Sequence, residues 1–66
     1  MADYCVNSIA QPNGDHEVHE KGCRFWPTSN ISLGSHYSCS SAVIAAKVYY
    51  RQSNGCYHCS RACHTT

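Results

Sequence analysis

Four residues able to bind a metal lie close together at the end of the chain. They are Cys56, Cys59, Cys63 and His64, which form a Cys-x2-Cys-x3-Cys-His segment. Thiolate and imidazole are the ligands that Zn²⁺ prefers in tetrahedral sites, and a Cys-x2-Cys step commonly supplies two of them. The segment therefore indicates a zinc site in the tail, although the second Cys-x2-Cys pair of a typical site is missing.

The fourth ligand of such a site is best drawn from outside this segment. Cys63 and His64 are adjacent in the chain, and adjacent side chains seldom point at one ion. Cys39, on the inner face of a predicted helix, is a better fourth ligand than His64. The sequence therefore predicts zinc as the cofactor and a ligand set drawn from Cys39, Cys56, Cys59, Cys63 and His64.

The N-terminal half contains a second group of residues that can bind metal. His16 and His19 lie in a predicted hairpin that also contains Cys5 and Cys23. Residues three positions apart on a strand face opposite sides of the sheet, so the two histidines should not bind the same ion. This group is a second candidate cluster, in which only one histidine serves any one ion.

Structural disulfides are the main alternative to a metal. Six cysteines can pair in many ways, and spacing alone does not select one pairing. Proximity in the predicted fold favours Cys5–Cys23, with Cys39 joined to a cysteine of the tail. The helical Cys59-x3-Cys63 step is typical of defensin-like folds, but the strand Cys-x-Cys that accompanies it there is missing.

A thiol-redox role is the third reading of the same cysteines. Cys56-Tyr57-His58-Cys59 has the Cys-x-His-Cys spacing of a possible redox motif. A nearby imidazolium lowers the pKa of a thiol and so favours the reactive thiolate. A thioredoxin-type enzyme needs a βαβ frame around the motif, which this short chain does not provide. No Ser-His-Asp set, phosphate-binding glycine loop or paired-carboxylate site is visible. We therefore expect no catalytic residues and no enzymatic activity.

The composition explains why the cysteines matter for folding. Val, Ile, Leu and Phe together number nine in 66 residues, which is about 14% of the chain and below the ~20% that a self-sufficient core needs. A net charge of +1 argues against disorder. Small domains of this kind are stabilised by disulfides or by a structural metal.

The elements that must position these residues follow from local patterns. Residues 3–11 and 15–23 flank the turn signal Asn13-Gly14 and predict a two-residue hairpin, with Cys5 opposite Gly22. Residues 24–35 are expected to form a loop. Residues 36–52 predict a helix that Asn54-Gly55 ends, because one face carries apolar or small side chains at helical spacing: Cys39, Ala42, Val43, Ala46, Tyr49 and Tyr50.

Charge and hydropathy exclude several partners and locations. The chain has no basic run, which argues against nucleic acid, and no apolar run long enough for a membrane span. Its first residues, Met1 to Cys5, do not form a signal peptide, so we expect a cytoplasmic protein. It would be secreted if Met1 had been added to a mature chain. Because disulfides are rare in the cytoplasm, zinc is favoured over disulfides.

Two stretches carry a resemblance to other proteins. Asn13-Gly14-Asp15-His16-Glu17-Val18-His19 and the tail from Gly55-Cys56 through Cys63-His64-Thr65 resemble a set of short uncharacterised bacterial proteins. The likeness covers nearly the whole chain. It implies a bacterial, unprocessed protein and assigns no activity.

These observations predict one small domain, residues 1–66, of the α+β class. We expect an N-terminal β-hairpin packed on one α-helix, with a Cys-rich C-terminal segment as a third strand or a short helix. The function that fits best is a non-enzymatic, zinc-stabilised bacterial module that binds a protein or a small ligand. The alternatives are a secreted disulfide-stabilised effector, toxin or inhibitor, and a thiol-redox protein.

Overall fold

A mixed four-stranded sheet with one helix packed against it forms the fold. The computed structural model describes residues 1–65. The strands are β1 (Ala2–Asn7), β2 (His16–Glu20), β3 (Asn30–His36) and β4 (Ser53–Gly55), in the sheet order β3-β1-β2-β4. β1 is antiparallel to β2 and to β3, whereas β4 is parallel to β2. The predicted α+β class is confirmed.

The connection between β1 and β2 is longer than the predicted two-residue loop. Ser8 donates its backbone N–H to the carbonyl of Ser29, so the chain turns toward β3 after Asn7. The turn around Asn13 is closed by the N–H of Gln11, which donates to the carbonyl of Asp15 at 2.8 Å. As a result Cys5 lies opposite His19. The predicted register, with Cys5 opposite Gly22, is wrong.

Strand β3 occupies a segment that the sequence predicts to be a loop. Its residues pair with β1, with Val6 opposite Ile31 and Tyr4 opposite Gly34, and a bulge interrupts the register between Tyr4 and Cys5. The sequence signal is weak because only Ile31 and Leu33 alternate with polar residues, as a half-buried strand requires. Pairing with β1 therefore makes this segment a strand.

The helix α1 (Cys39–Ala46) is shorter than the predicted span of residues 36–52. Its inner face matches the prediction, since Ala42 and Ala46 are fully buried. The helix ends in a tight turn in which Val48 N–H donates to Ala45 and Tyr49 N–H donates to Ala46. Asn54 and Gly55 do not end the helix, because both belong to β4.

The core between the helix and the sheet is small. It consists of Tyr4, Val6, Val18, Ala42 and Ala46. Such a core stabilises a domain of this size weakly, which agrees with the need for cross-links that the composition predicts. No helix within residues 1–65 is long and apolar enough to cross a membrane.

Gly55 is required where the tail passes closest to β4. A Cβ at this position would lie 2.6 Å from the carbonyl oxygen of Ser60 and 2.7 Å from Cβ of Cys63. Both neighbours are main-chain or Cβ atoms, so the tail itself would have to move. We predict that Gly55→Ala lowers the free energy of unfolding by about 1–3 kcal/mol, as overpacking does. Urea unfolding measures this, and an unchanged midpoint would contradict the close approach.

Candidate metal centre

Two distant segments of the chain bring four ligand side chains together. His19 and Cys23 come from β2 and the turn that follows it, and Cys56 and Cys59 come from the loop after β4. Their ligand atoms all lie within 4.8 Å of one another. In tetrahedral zinc sites Zn–S is about 2.3 Å and Zn–N about 2.0–2.1 Å, so neighbouring ligand atoms lie about 3.5–3.8 Å apart. Small side-chain movements would bring the cluster to that geometry.

The turn after β2 brings Cys23 back to His19. In an extended strand, residues four apart are separated by about 13 Å, which no single ion bridges. Here the chain reverses at Gly22, whose φ of +101° favours glycine. The N–H of Cys23 donates to the carbonyl of Glu20 at 3.1 Å and holds the turn. The turn therefore places His19 and Cys23 where both side chains can bind one ion.

Parallel pairing of β4 with β2 delivers the second pair. Gly55 lies opposite Val18, and the N–H of Cys56 donates to the carbonyl of Val18 at 2.9 Å. Cys56 therefore lies beside the strand position that His19 occupies. A turn then follows, closed by the N–H of Ser60 donating to the carbonyl of Cys56 at 2.9 Å. This turn places Cys59 against the end of β2.

Each sulfur of the cluster accepts a backbone N–H. The amide of Phe25 donates to Sγ of Cys23 at 3.4 Å, and the amide of His58 donates to Sγ of Cys56 at 3.4 Å. In both cases the donor lies two residues after the cysteine. Sγ of Cys59 receives the amide of Glu20 at 3.2 Å. Donors aimed at sulfur favour the thiolate, which is the form that binds metal.

The imidazole of His19 is held in the form that binds metal. Its Nδ1 lies 3.9 Å from Sγ of Cys59, while its Nε2 lies 3.5 Å from Oε1 of Glu17. Burial lowers the pKa of His19, and the carboxylate of Glu17 opposes that shift. The ring is therefore neutral at neutral pH, with Nδ1 toward the sulfurs. A carboxylate behind the other ring nitrogen is the usual support of a metal-binding histidine.

Burial works against a negative charge on Cys59 when no cation is bound. Burial raises the pKa of Cys59 to about 12, against the lowering effect of the Glu20 amide and the Ser60 hydroxyl. Burial also raises the pKa of Cys5 to about 11. Cys5 is a fully buried free thiol on β1 and is not among the four clustered residues. A bound cation would place a positive charge beside Cys59 and so stabilise its thiolate.

An open cavity gives access to the cluster. It measures about 310 Å³ and is lined by Glu20, Lys21, Gly22, Cys23 and Cys59. Cys56 and His19 are buried, whereas Cys23 and Cys59 are partly exposed. The cavity therefore provides a route by which an ion or a chelator reaches two of the four ligands.

The structure distributes the five predicted ligands among three environments. Cys56 and Cys59 lie in the cluster. Cys39 and Cys63 are joined to each other in a disulfide. His64 lies outside the cluster, with its Nδ1 3.0 Å from the carbonyl oxygen of Gly55. The side chains that join Cys56 and Cys59 in the cluster are His19 and Cys23, from the N-terminal half of the chain.

The structure also shows where the residues of the second predicted cluster and of the predicted disulfides lie. His16 does not share a site with His19, because its ring stacks on Tyr50 at a centroid distance of 3.7 Å. Cys39 is linked to a tail cysteine, as proximity predicts. Cys5 and Cys23 are free thiols rather than a disulfide, and only Cys23 joins the metal cluster.

One sequence signal could have identified the missing half of the site. His19-x3-Cys23 has the short spacing of a ligand pair and complements Cys56-x2-Cys59. The signal is hidden because residues 15–23 are predicted as one continuous strand. Recognising Lys21-Gly22 as a turn would have paired the two steps.

Comparison of the chain with protein-family models, with curated proteins and with solved structures finds no significant match.

Proposed function

We propose that this chain is a zinc-stabilised, non-enzymatic binding module. The observation that carries the proposal is the convergence of His19, Cys23, Cys56 and Cys59 within 4.8 Å. Three thiolates and one imidazole suit Zn²⁺, whereas Mg²⁺, Ca²⁺ and Mn²⁺ prefer oxygen ligands. Four protein ligands complete a tetrahedron and leave no position for a substrate, which is the arrangement of structural rather than catalytic zinc.

The position of the cluster in the fold supports a structural role. It joins the end of β2 to the loop after β4, segments separated by more than thirty residues. The Cys39–Cys63 disulfide joins the same tail to the helix. Together the two cross-links hold the tail on both sides, where a small core provides few contacts. The resemblance seen in the sequence adds the proposal that the module is bacterial.

Metal content and ligand spectroscopy test this function directly. The full chain, refolded with one equivalent of Zn²⁺, should retain one ion per chain in native mass spectrometry. Replacement by Co²⁺ should produce the intense visible absorption of a tetrahedral site together with thiolate-to-metal charge transfer. A chain that folds without binding either ion would reject the proposal.

Glu17 provides a finer test, because its carboxylate approaches the nitrogen of the His19 ring that faces away from Cys59. We predict that Glu17→Gln lowers zinc affinity about 10–100-fold, the usual cost of removing a carboxylate behind a metal-binding histidine. Asp3→Asn, on the neighbouring strand β1, is the matched control, since its carboxylate accepts a hydrogen bond from the hydroxyl of Ser35 and lies outside the cluster and its cavity. Competition with a chelating dye measures both affinities. Equal losses would show that Glu17 has no special role.

A second candidate function is favoured by one observation. The Cys39–Cys63 disulfide is typical of an oxidising compartment. It supports a secreted, disulfide-stabilised effector, toxin or inhibitor as the alternative. The two candidates differ in which cross-link the fold depends on, the metal or the disulfide.

A further inference from the structure

A strip of exposed aromatic and cationic side chains borders the metal centre. We call it the aromatic–cationic strip, and it consists of Arg24, Phe25, Tyr57, His58 and Arg61. All five side chains are exposed. Phe25 and Tyr57 expose 46% and 47% of their surface. Exposed apolar side chains that lie next to one another, unlike isolated ones, mark interaction sites.

The strip is continuous from one end to the other. The rings of Phe25 and His58 have centroids 4.5 Å apart, and those of Tyr57 and His58 are 5.4 Å apart. The guanidinium of Arg24 lies 5.0 Å from the Phe25 ring, and that of Arg61 lies 4.6 Å from the Tyr57 ring. A row of three rings thus ends in a guanidinium at each side.

The metal centre holds the two halves of the strip together. Arg24 and Phe25 follow the ligand Cys23 directly, whereas Tyr57 and His58 lie between the ligands Cys56 and Cys59. These halves are far apart in the chain, so no basic or aromatic run is visible in the sequence. The inference therefore rests on the proposed zinc site, which fixes the halves side by side.

Positive charge lies at both ends of the strip, on Arg24 and Arg61. Neither Arg24 nor Arg61 forms an ion pair with a carboxylate within residues 1–65. Lys21 is three residues before Arg24 in the sequence. Its Nζ lies 5.4 Å from the centroid of the Trp26 ring, and the residue lines the cavity beside the cluster together with Glu20. Three of the five Lys and Arg residues of the chain therefore flank the metal ligands.

We propose that the aromatic–cationic strip binds single-stranded nucleic acid. Unpaired bases stack on exposed aromatic rings and on guanidinium planes, and arginine also binds phosphate oxygens. An acidic peptide would use the arginines but would leave the row of rings without partners. The proposal departs from the expectation that nucleic acid is no partner, because the cations meet only in the folded chain.

Fluorescence anisotropy with labelled twelve-nucleotide oligouridine and oligothymidine tests the proposal on the zinc-loaded full chain. At low salt, binding should be measurable and should weaken as salt rises. Arg24→Gln combined with Arg61→Gln should weaken it about tenfold and reduce the salt slope by about 1.4, the value for two phosphate contacts on a single strand. Phe25→Ala combined with Tyr57→Ala should also weaken it about tenfold through lost stacking.

The matched control is Lys47→Gln combined with Arg51→Gln, which removes the same charge from the end of α1 and the segment before β4. This pair should change the affinity less than about twofold. Equal weakening by both pairs, no measurable binding, or tighter binding of a glutamate peptide of equal charge would overturn the proposal. Zinc content is measured on every sample, so failure to bind with zinc retained rejects the strip alone, whereas absence of zinc rejects the proposed function.

Discussion

Removal of the metal with a chelator should unfold the protein. Binding to a structural zinc site is coupled to folding and contributes about 10–16 kcal/mol in small zinc domains, which matches or exceeds the whole stability of an ordinary domain, about 5–15 kcal/mol. Within residues 1–65 the buried core between helix and sheet consists of Tyr4, Val6, Val18, Ala42 and Ala46, with partly buried apolar side chains around it. We expect loss of the circular dichroism signal after chelation and its recovery when Zn²⁺ is restored.

A ligand variant and a matched thiol variant separate metal loss from other effects of the chelator. Cys59→Ala should abolish zinc binding and leave the chain unfolded at 25 °C. Cys5→Ala removes a buried free thiol of β1 that is outside the cluster, so it should retain one zinc per chain. Native mass spectrometry and circular dichroism record both results. A Cys59→Ala chain that still holds zinc, or an apo chain with an unchanged spectrum, would contradict the metal centre.

Loss of the Cys39–Cys63 disulfide should have the second largest effect. Its half-cystines are 24 residues apart, and a closed loop of that length restricts the unfolded chain by about 3.5 kcal/mol at 25 °C. The variant with Cys39→Ala and Cys63→Ala should therefore have a free energy of unfolding lower by about that amount. Its urea midpoint should fall accordingly, while it keeps its zinc. Urea titration at saturating Zn²⁺ measures the difference.

The same variant distinguishes the two ligand sets. The sequence favours Cys39 and Cys63 as zinc ligands, whereas the folded chain gathers His19 and Cys23 with Cys56 and Cys59. If the double variant loses its zinc, the sequence prediction holds and the cluster is not the site. If it keeps its zinc and loses only stability, Cys39 and Cys63 act as a cross-link between the helix and the tail.

Composition and local patterns determined several features of this protein without any tertiary information. Few large apolar side chains and six cysteines indicate a small cross-linked domain. Helical spacing identifies Ala42 and Ala46 as the inner face of α1, and both are buried. These features are predictable because composition and helical periodicity are local properties of the chain.

Only the tertiary structure decided which residues form the metal cluster and the strip beside it. The cluster needs the reversal at Gly22 and the parallel pairing of Val18 with Gly55, which brings Cys56 beside β2. β3 likewise becomes a strand by pairing with β1. Pairing between segments far apart in the chain depends on contacts that no short window contains, so spacing alone could identify Cys56 and Cys59 but not their partners.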